Sequence, residues 1–348
     1  MAKSVIGLPS GSSLWVNLGC PFLFTKLKQK LVISLAIGAG VYLFFIIYVN
    51  FNQFIESLSN FSLWLLPVIL FLSFVNYTVR FYKWDYYLKL IKVKLNKIDS
   101  FYIFMSGMVM SVTPGKLGEF LKAFLVKEKT GIPMSKTSPV IIVERLTDSI
   151  AFIIISLVGA YIFSYGMVIS LIITAVLIVL IILLTSPKLF IYVLHYLERS
   201  SKLNKYVVKI ENAYNSIQLL LKPSVLFSMT LVSVVAWFAE CLGYYFILRN
   251  FGIEINLMWA SFSYAFANIV GTVSMLPGGL GITEGSLTFL LIGKGVSKAT
   301  SVTTTFIVRV STLWFAVLVG LIALSLLHRR DKKCCSDYNL GENNDKIQ

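Results

Sequence analysis

Long runs of apolar residues, separated by short polar stretches, recur along almost the whole chain. Several runs approach the roughly 20 residues that a helix needs to cross a hydrocarbon core about 30 Å thick. This pattern predicts an all-α polytopic membrane protein. Six runs are predicted to be full spans: Leu31 to Val49, Phe61 to Tyr82, Pro139 to Phe163, Met167 to Thr185, Val225 to Leu248 and Ser301 to Leu327.

Two further apolar stretches run into a proline-glycine segment and are followed by a shorter apolar helix. The first segment, which we call hairpin 1, covers residues 113–119 with the sequence TPGKLGE, and the second, hairpin 2, covers residues 276–284 with the sequence LPGGLGITE. Both regions are predicted to be re-entrant or hairpin-like helix pairs, which gives about eight transmembrane segments in all.

Composition agrees with a membrane protein and excludes a soluble domain. Of 348 residues, 57% are hydrophobic and 14% charged, against about 25% charged in ordinary soluble domains. The net charge of +15 could indicate a nucleic-acid partner. However, the basic residues lie in short runs between apolar segments, as in cytoplasmic loops that face anionic lipid. We therefore expect membrane lipids, mainly anionic, as partners, and no nucleic acid.

The same charges predict the orientation. Lysines precede the first span, whereas residues 50–60 contain no lysine or arginine, which places residues 1–30 in the cytoplasm. Basic residues also occur in the linker at residues 186–224 and in the tail at residues 329–348. A further group follows the second span and comprises Arg80, Lys83, Lys89, Lys92, Lys94 and Lys97. We expect a multi-pass protein of the cell membrane with both termini cytoplasmic. The Lys83 to Ile98 and Pro187 to Lys222 linkers are either interfacial amphipathic helices or solvated connectors.

The two hairpins belong to an internal repeat. Pro114 aligns with Pro277 at an offset of 163 residues, and at an offset of 164 Arg145 falls opposite Arg309 and the Phe61 span opposite the Val225 span. The repeat units are predicted at about residues 61–163 and 225–327. The charge count makes hairpin 1 open to the cytoplasm and hairpin 2 to the outside, so the sequence predicts an inverted-topology repeat.

Such repeats, with helices interrupted at corresponding positions, are typical of transporters that bind substrate near the membrane midplane. Proline removes a backbone donor, and lipid cannot satisfy the exposed amides and carbonyls of a broken helix. The hairpins must therefore face protein or a water-filled cavity. The alternative is that each is an ordinary loop between helices.

Ionisable residues at membrane depth cluster on the repeat. Because an isolated charge is costly there, we expect these residues to pair or to line a cavity. The arginines could hold phosphate oxygens while glutamates balance their charge in the empty site; alternatively, all are fixed structural salt bridges. Glu240 lies in the second repeat without a copy in the first, and Lys122 is either a headgroup-attracting or an ordinary interfacial lysine. The predicted substrate-binding residues are Pro114, Gly115, Lys116, Gly118, Glu119, Glu144, Arg145, Asp148, Pro277, Gly278, Gly279, Gly281, Glu284 and Arg309.

No pattern in the chain indicates an enzyme, a cofactor or a metal site. The four cysteines lack a metal-binding spacing, the two histidines are not placed for acid-base work, and no phosphate loop or nucleophile motif is present.

Three motifs in order resemble the membrane region of lysylphosphatidylglycerol synthase/flippase proteins. They are TPGKLGE at residues 113–119, VERLTD at 143–148 and LPGGLGITEG at 276–285, and the resemblance covers roughly residues 25 to 328. It implies a helical bundle with re-entrant helices and movement of a lipid between leaflets. The synthases carry a large soluble domain, whereas only about 20 polar residues follow Leu327 here, so synthesis of an aminoacyl lipid is not expected.

The leading hypothesis is a lipid flippase for an anionic phospholipid or a polyprenyl-phosphate-linked lipid. The alternatives are a transporter of a soluble anion and a non-catalytic membrane scaffold for a separate glycosyltransferase or synthase. A homo-oligomer is compatible with each of these.

Overall fold

The protein is helical throughout the part of the chain that the structure describes. The computed structural model describes residues 33, 36–45, 47–113, 118–163, 167–198 and 207–344, and contains no strand in these ranges. The helices are α1 Ala36–Val49, α2 Phe51–Ser59, α3 Leu66–Leu90, α4 Lys97–Gly107, α5 Leu121–Thr130, α6 Met134–Phe163, α7 Met167–Thr185, α8 Pro187–Glu198, α9 Val207–Leu220, α10 Pro223–Asn250, α11 Leu257–Val273, α12 Ile282–Gly293, α13 Lys298–Arg309 and α14 Phe315–Asn344.

The predicted helical membrane protein is confirmed at this level. In the part of the chain that the structure describes, three helices are long and apolar enough to cross a membrane, namely Leu63–Leu90, Pro223–Asn250 and the continuous Lys298–Arg330. A fourth span results if α1 and α2, which meet at 96°, are counted together. The number of six full spans stays a prediction, although α6 and α7 are helical over 30 and 19 residues.

Both hairpins separate a pair of short helices. A 3₁₀ turn at Met108–Val112 ends α4 before hairpin 1, and α5 follows it. At hairpin 2 a 3₁₀ turn at Pro277–Gly279 separates α11 from α12. The helices therefore stop where proline and glycine interrupt the pattern, as the sequence predicts.

The two halves of the chain share details of backbone geometry besides their element order. After α3, Lys92 has a φ of 57° and the Val93 amide donates to the Leu88 carbonyl. After α10, Gly252 has a φ of 68° and the Ile253 amide donates to the Leu248 carbonyl. The next helix in each half starts at an asparagine cap. These matched caps are a structural trace of the repeat in the sequence.

Each hairpin has an apolar core around it. One core joins α4 and α5 to the C-terminal half of α3, the N-terminal half of α6 and to α14. The other joins α11, α12 and α13 to the C-terminal halves of α6 and α10. The long helices α3 and α10 pack together between the cores, where the buried Asn76 amide donates to the Ala236 carbonyl at 2.8 Å. The 3₁₀ turn that precedes hairpin 1 also contacts the 3₁₀ turn of hairpin 2.

Two predicted boundaries are corrected. Helix α3 continues beyond Tyr82 to Leu90, because Arg80 and Lys83 turn into the protein and pair with α6 instead of ending the span. The first half of the Lys83 to Ile98 segment is therefore the end of a long helix, and only the residues after Leu90 connect it to α4. The Pro187 to Lys222 linker contains α8 and α9, whose Phe190 and Tyr214 rings stack at 3.7 Å.

Candidate functional site

A cavity of about 210 Å³ lies between the two halves of the chain. Residues of both repeats line it, and the turns before and within the hairpins approach each other there, since Gly278 lies beside the Val112 backbone. The charged residues of the lining are Arg80, Glu119, Arg145, Asp148, Glu240 and Arg309. Among the described residues the lining therefore contains equal numbers of cations and anions.

On the side of the first repeat, Arg145 is the centre of an ion-pair network. Its guanidinium lies 3.3 Å from the Glu119 carboxylate, 2.9 Å from Glu144 and 3.2 Å from Asp148. Its side chain is 22% exposed, whereas the three carboxylates are almost completely buried. Arg145 is thus the more exposed of the two arginines in this network, since the Arg80 side chain is 10% exposed. It is the one more accessible to a ligand in the cavity.

Helix α3 supplies two further cations that the sequence analysis assigned to a loop. Arg80 lies 3.3 Å from Glu144 and 3.6 Å from Asp148, and its guanidinium stands over the Trp237 ring at 5.1 Å. Lys83 is fully buried and donates to Asp148 and, at 2.7 Å, to the Ser233 hydroxyl. Arg80 and Lys83 are three residues apart, about one helical turn, so they lie on the same face of α3. This spacing is the sequence pattern that could have indicated a shared partner.

Lys122 is also buried, so neither interpretation as a membrane-surface lysine is right. Its Nζ lies 2.6 Å from Glu144 Oε2 and 3.7 Å from Glu119. The ammonium also stands 4.8 Å from the centre of the Trp84 ring and 5.0 Å from that of Phe104. This lysine therefore connects α5 to α6 behind the residues that line the cavity.

On the side of the second repeat, Arg309 binds hairpin 2 directly. Its Nε lies 2.7 Å from Glu284 Oε1, and its NH2 group donates to the Gly278 carbonyl. The other oxygen of Glu284 accepts from the Gly281 amide at 2.8 Å, at the start of α12. Arg309 therefore fixes the turn and the following helix together through a charged and a backbone acceptor.

The wall between the two arginine groups carries polar aromatic residues that the sequence analysis did not single out. The Tyr264 hydroxyl donates to Glu240, and the Tyr77 hydroxyl donates to the Thr312 carbonyl at 2.6 Å. Thr312 belongs to a π-helical turn, Val310–Trp314, directly after Arg309. Asn268 completes this polar side of the lining.

The structure brings together most of the predicted site. Glu119, Arg145, Asp148, Gly278, Gly279 and Arg309 line the cavity. Gly118, Glu144, Pro277, Gly281 and Glu284 lie behind these residues and hold them in place or shape the turns. Pro114, Gly115 and Lys116 lie outside the described residues.

The chemistry of this arrangement suits an anionic group. Each cavity arginine is neutralised by carboxylates, so the empty cavity holds no unbalanced cation among the described lining. The guanidinium fork binds phosphate and carboxylate oxygens in the same bidentate manner, so a phosphate ester could take the place of a carboxylate partner.

Known proteins match this chain over most of its length. The family model described as the lysylphosphatidylglycerol synthase TM region matches residues 31–320. A UPF0104 membrane protein of Methanocaldococcus jannaschii is 25% identical over 64% of this chain and 94% of its own length. UPF0104 membrane proteins of Methanothermobacter thermautotrophicus and Pyrococcus horikoshii are 21% and 23% identical, over 86% and 84% of this chain and 96% of each relative. The resemblance found in the three motifs is thereby confirmed, and the chain belongs to the family of the lysylphosphatidylglycerol synthase transmembrane region.

Proposed function

We propose that this membrane protein is a lipid flippase, which moves an anionic phospholipid or a polyprenyl-phosphate-linked lipid between leaflets. The observation that carries the proposal is the position of Arg145 and Arg309, one from each repeat, on the lining of one cavity between the hairpins. Buried arginine is expensive inside a membrane, and its usual roles there are in substrate pathways and fixed ion pairs.

In this proposal a phosphate group exchanges with the carboxylates that hold the arginines in the empty cavity. At Arg145 the phosphate takes the place of Glu119, which keeps Lys122 as a cationic partner, or of Asp148, which keeps Arg80. At Arg309 it takes the place of Glu284, which keeps the Gly281 amide. The carboxylates lower the cost of leaving the site empty, and each retains a partner when the ligand binds.

The proposed movement follows from the inverted repeat. Hairpin 1 opens to the cytoplasm and hairpin 2 to the outside, and alternating exposure of the cavity between them moves the headgroup across. Both termini lie in the cytoplasm of the cell in this arrangement.

Reconstitution into liposomes tests the proposal. Fluorescent phosphatidylglycerol and a fluorescent polyprenyl phosphate are placed in the vesicles, and a membrane-impermeant quencher reports how fast the inner-leaflet probe reaches the outer leaflet. We expect protein-dependent translocation of at least one probe. No acceleration across a broad panel of lipids, with protein shown to be folded, contradicts the proposal.

Arginine variants separate the proposal from its rivals. Arg145→Gln with Arg309→Gln should abolish translocation, whereas Arg330→Gln should not, because Arg330 makes an exposed pair with Asp99 at 3.9 Å far along α14. If the protein is instead a non-transporting scaffold for a separate enzyme, the double substitution should leave that scaffold function intact. A transporter of a soluble anion predicts uptake of that anion by vesicles whatever the lipid.

A further inference from the structure

Within the described residues, the cavity between the two halves of the chain reaches the protein surface at one place. Among its described lining residues, Thr272, Met275 and Leu276 are the exposed ones, and all three lie where α11 ends and hairpin 2 begins. Met275 is 71% exposed and Leu276 44%. The remaining described lining residues are buried or half-buried. The mouth of the cavity is therefore formed by a single short segment.

The surface around this mouth is apolar. Val273, which lies between two mouth residues in the sequence, is 60% exposed and does not line the cavity. Helix α11 itself is an apolar helix of 17 residues. In a membrane-embedded segment an exposed apolar side chain contacts the hydrocarbon of the lipids. With α11 embedded in the membrane, the apolar side chains of the mouth would therefore face the acyl chains, while the Met275 and Leu276 amides are satisfied by protein acceptors.

The backbone at the mouth is held in an unusual conformation. Met275 has a φ of 55°, in the left-handed region that glycine or asparagine normally occupies after a helix. Hydrogen bonds from its amide to the Thr272 carbonyl and from the Leu276 amide to Ser274 Oγ hold the turn. A long, flexible apolar side chain thus occupies a position where glycine would be less strained, and methionine adapts to variable apolar partners.

We propose that Thr272, Met275 and Leu276 form the lateral portal of the transported lipid, whose acyl chains stay in the bilayer while its headgroup occupies the cavity. This inference rests on the proposed function and adds the place where the lipid enters. The charged lining suits a headgroup, whereas an acyl chain placed beside Arg145, Arg309 and their carboxylates would remove their polar contacts without replacing them. The apolar mouth accepts the chains that the cavity excludes.

Photo-crosslinking tests the portal on the unsubstituted protein. Phosphatidylglycerol and a polyprenyl phosphate, each with a diazirine in the hydrocarbon chain, are reconstituted in phosphatidylcholine vesicles, and the adducts are located by peptide mass spectrometry. We expect adducts of at least one probe at Met275 and Leu276 to fall roughly tenfold in the Arg145→Gln, Arg309→Gln protein, since the charge-assisted contacts anchor the headgroup. Adducts at Phe289, an exposed residue of α12 away from the cavity, should not change. Equal behaviour of Met275 and Phe289 with both probes overturns the portal.

A matched pair of substitutions tests the passage itself. Met275→Trp should slow translocation roughly tenfold, because the larger side chain narrows the mouth through which the headgroup enters. Val273→Trp, two residues away and equally bulky on the lipid-facing side, should leave the rate unchanged. Translocation that is equally fast in both variants overturns the portal while leaving the flippase intact. If the adducts at Met275 and Leu276 depend on the arginines but no lipid is translocated, the flippase function is contradicted, whereas lipid binding at the mouth is retained.

Discussion

Lys122 and Glu144 form a buried ion pair, with 2.6 Å between Nζ and Oε2, behind the residues that line the cavity. Lys122→Met leaves Glu144 with fewer cations in a buried setting, and we expect a loss of about 3 kcal/mol in the free energy of unfolding. Unfolding in mixed detergent micelles measures it. Lys89→Met is the control, because the Lys89 side chain is 63% exposed where it pairs with Asp85 at 2.6 Å, so the loss of its solvated charge should change stability by less than about 1 kcal/mol.

The double variant Lys122→Met, Glu144→Gln tells whether the pair itself carries this effect. We expect its destabilisation to be smaller than the sum of the two single effects by about 1 kcal/mol or more. Strictly additive effects would contradict a direct interaction between the two side chains.

Arg309 should not tolerate lysine. The guanidinium reaches Glu284 and the Gly278 carbonyl through different nitrogens, and a single ammonium group cannot reproduce this fork. Losing one such charged hydrogen bond corresponds to roughly tenfold in rate if the contact matters for transport. We expect Arg309→Lys to slow lipid translocation by this factor in vesicles. Arg330→Lys is the control, and an unchanged rate in Arg309→Lys would show that charge alone suffices.

The geometry of hairpin 2 makes a prediction about glycine. Gly279 has a φ of 67°, and a Cβ there would lie 2.6 Å from Thr283 Oγ1 and 3.3 Å from the Gly271 Cα. Gly279→Ala should therefore destabilise the protein by about 2 kcal/mol. At Gly293 in α12 a Cβ would meet nothing within 4 Å, so Gly293→Ala should be neutral or slightly stabilising. Thermal unfolding in detergent compares the two, and equal effects would refute the close packing.

The inverted topology can be tested with two lysines that follow corresponding helices. Lys127 lies near the end of α5 and Lys294 just after α12, and both are exposed. In a background without other cysteines, Lys294→Cys should react with an impermeant maleimide from outside the cell. Lys127→Cys should react only after the membrane is opened. Labelling of both from the same side would rule out the inverted arrangement.

The sequence predicted the helical membrane class and the ends of the helices beside the two proline-glycine segments, because both depend on local signals. The inverted repeat stays a prediction. Apolar length, proline and glycine act within a few residues of the place they mark. The repeat also predicted that Arg145 and Arg309 are related, and the cavity contains both. These features follow from the chain without knowledge of its packing.

Sequence reasoning failed where a charge is satisfied by a residue distant in the chain. Arg80 and Lys83 were counted as loop charges because lysine and arginine normally end a span. Their partners Glu144 and Asp148 belong to α6, so Arg80 and Lys83 can be buried only because α3 packs against α6. The orientation prediction then rests, in this region, on the exposed Lys89, Lys92, Lys94 and Lys97.

The π turn after Arg309 divides the longest helical segment of the described chain into two rods, α13 and α14. At this π turn the Thr312 carbonyl accepts from the Phe315 amide and, at 2.6 Å, from the Tyr77 hydroxyl of α3. Arg309, which binds hairpin 2, thus lies in α13 on one side of this joint. Helix α14, on the other side, contacts α4. The angle at this joint thus sets where hairpin 2 lies relative to α4, and the Tyr77 hydrogen bond ties the joint to α3.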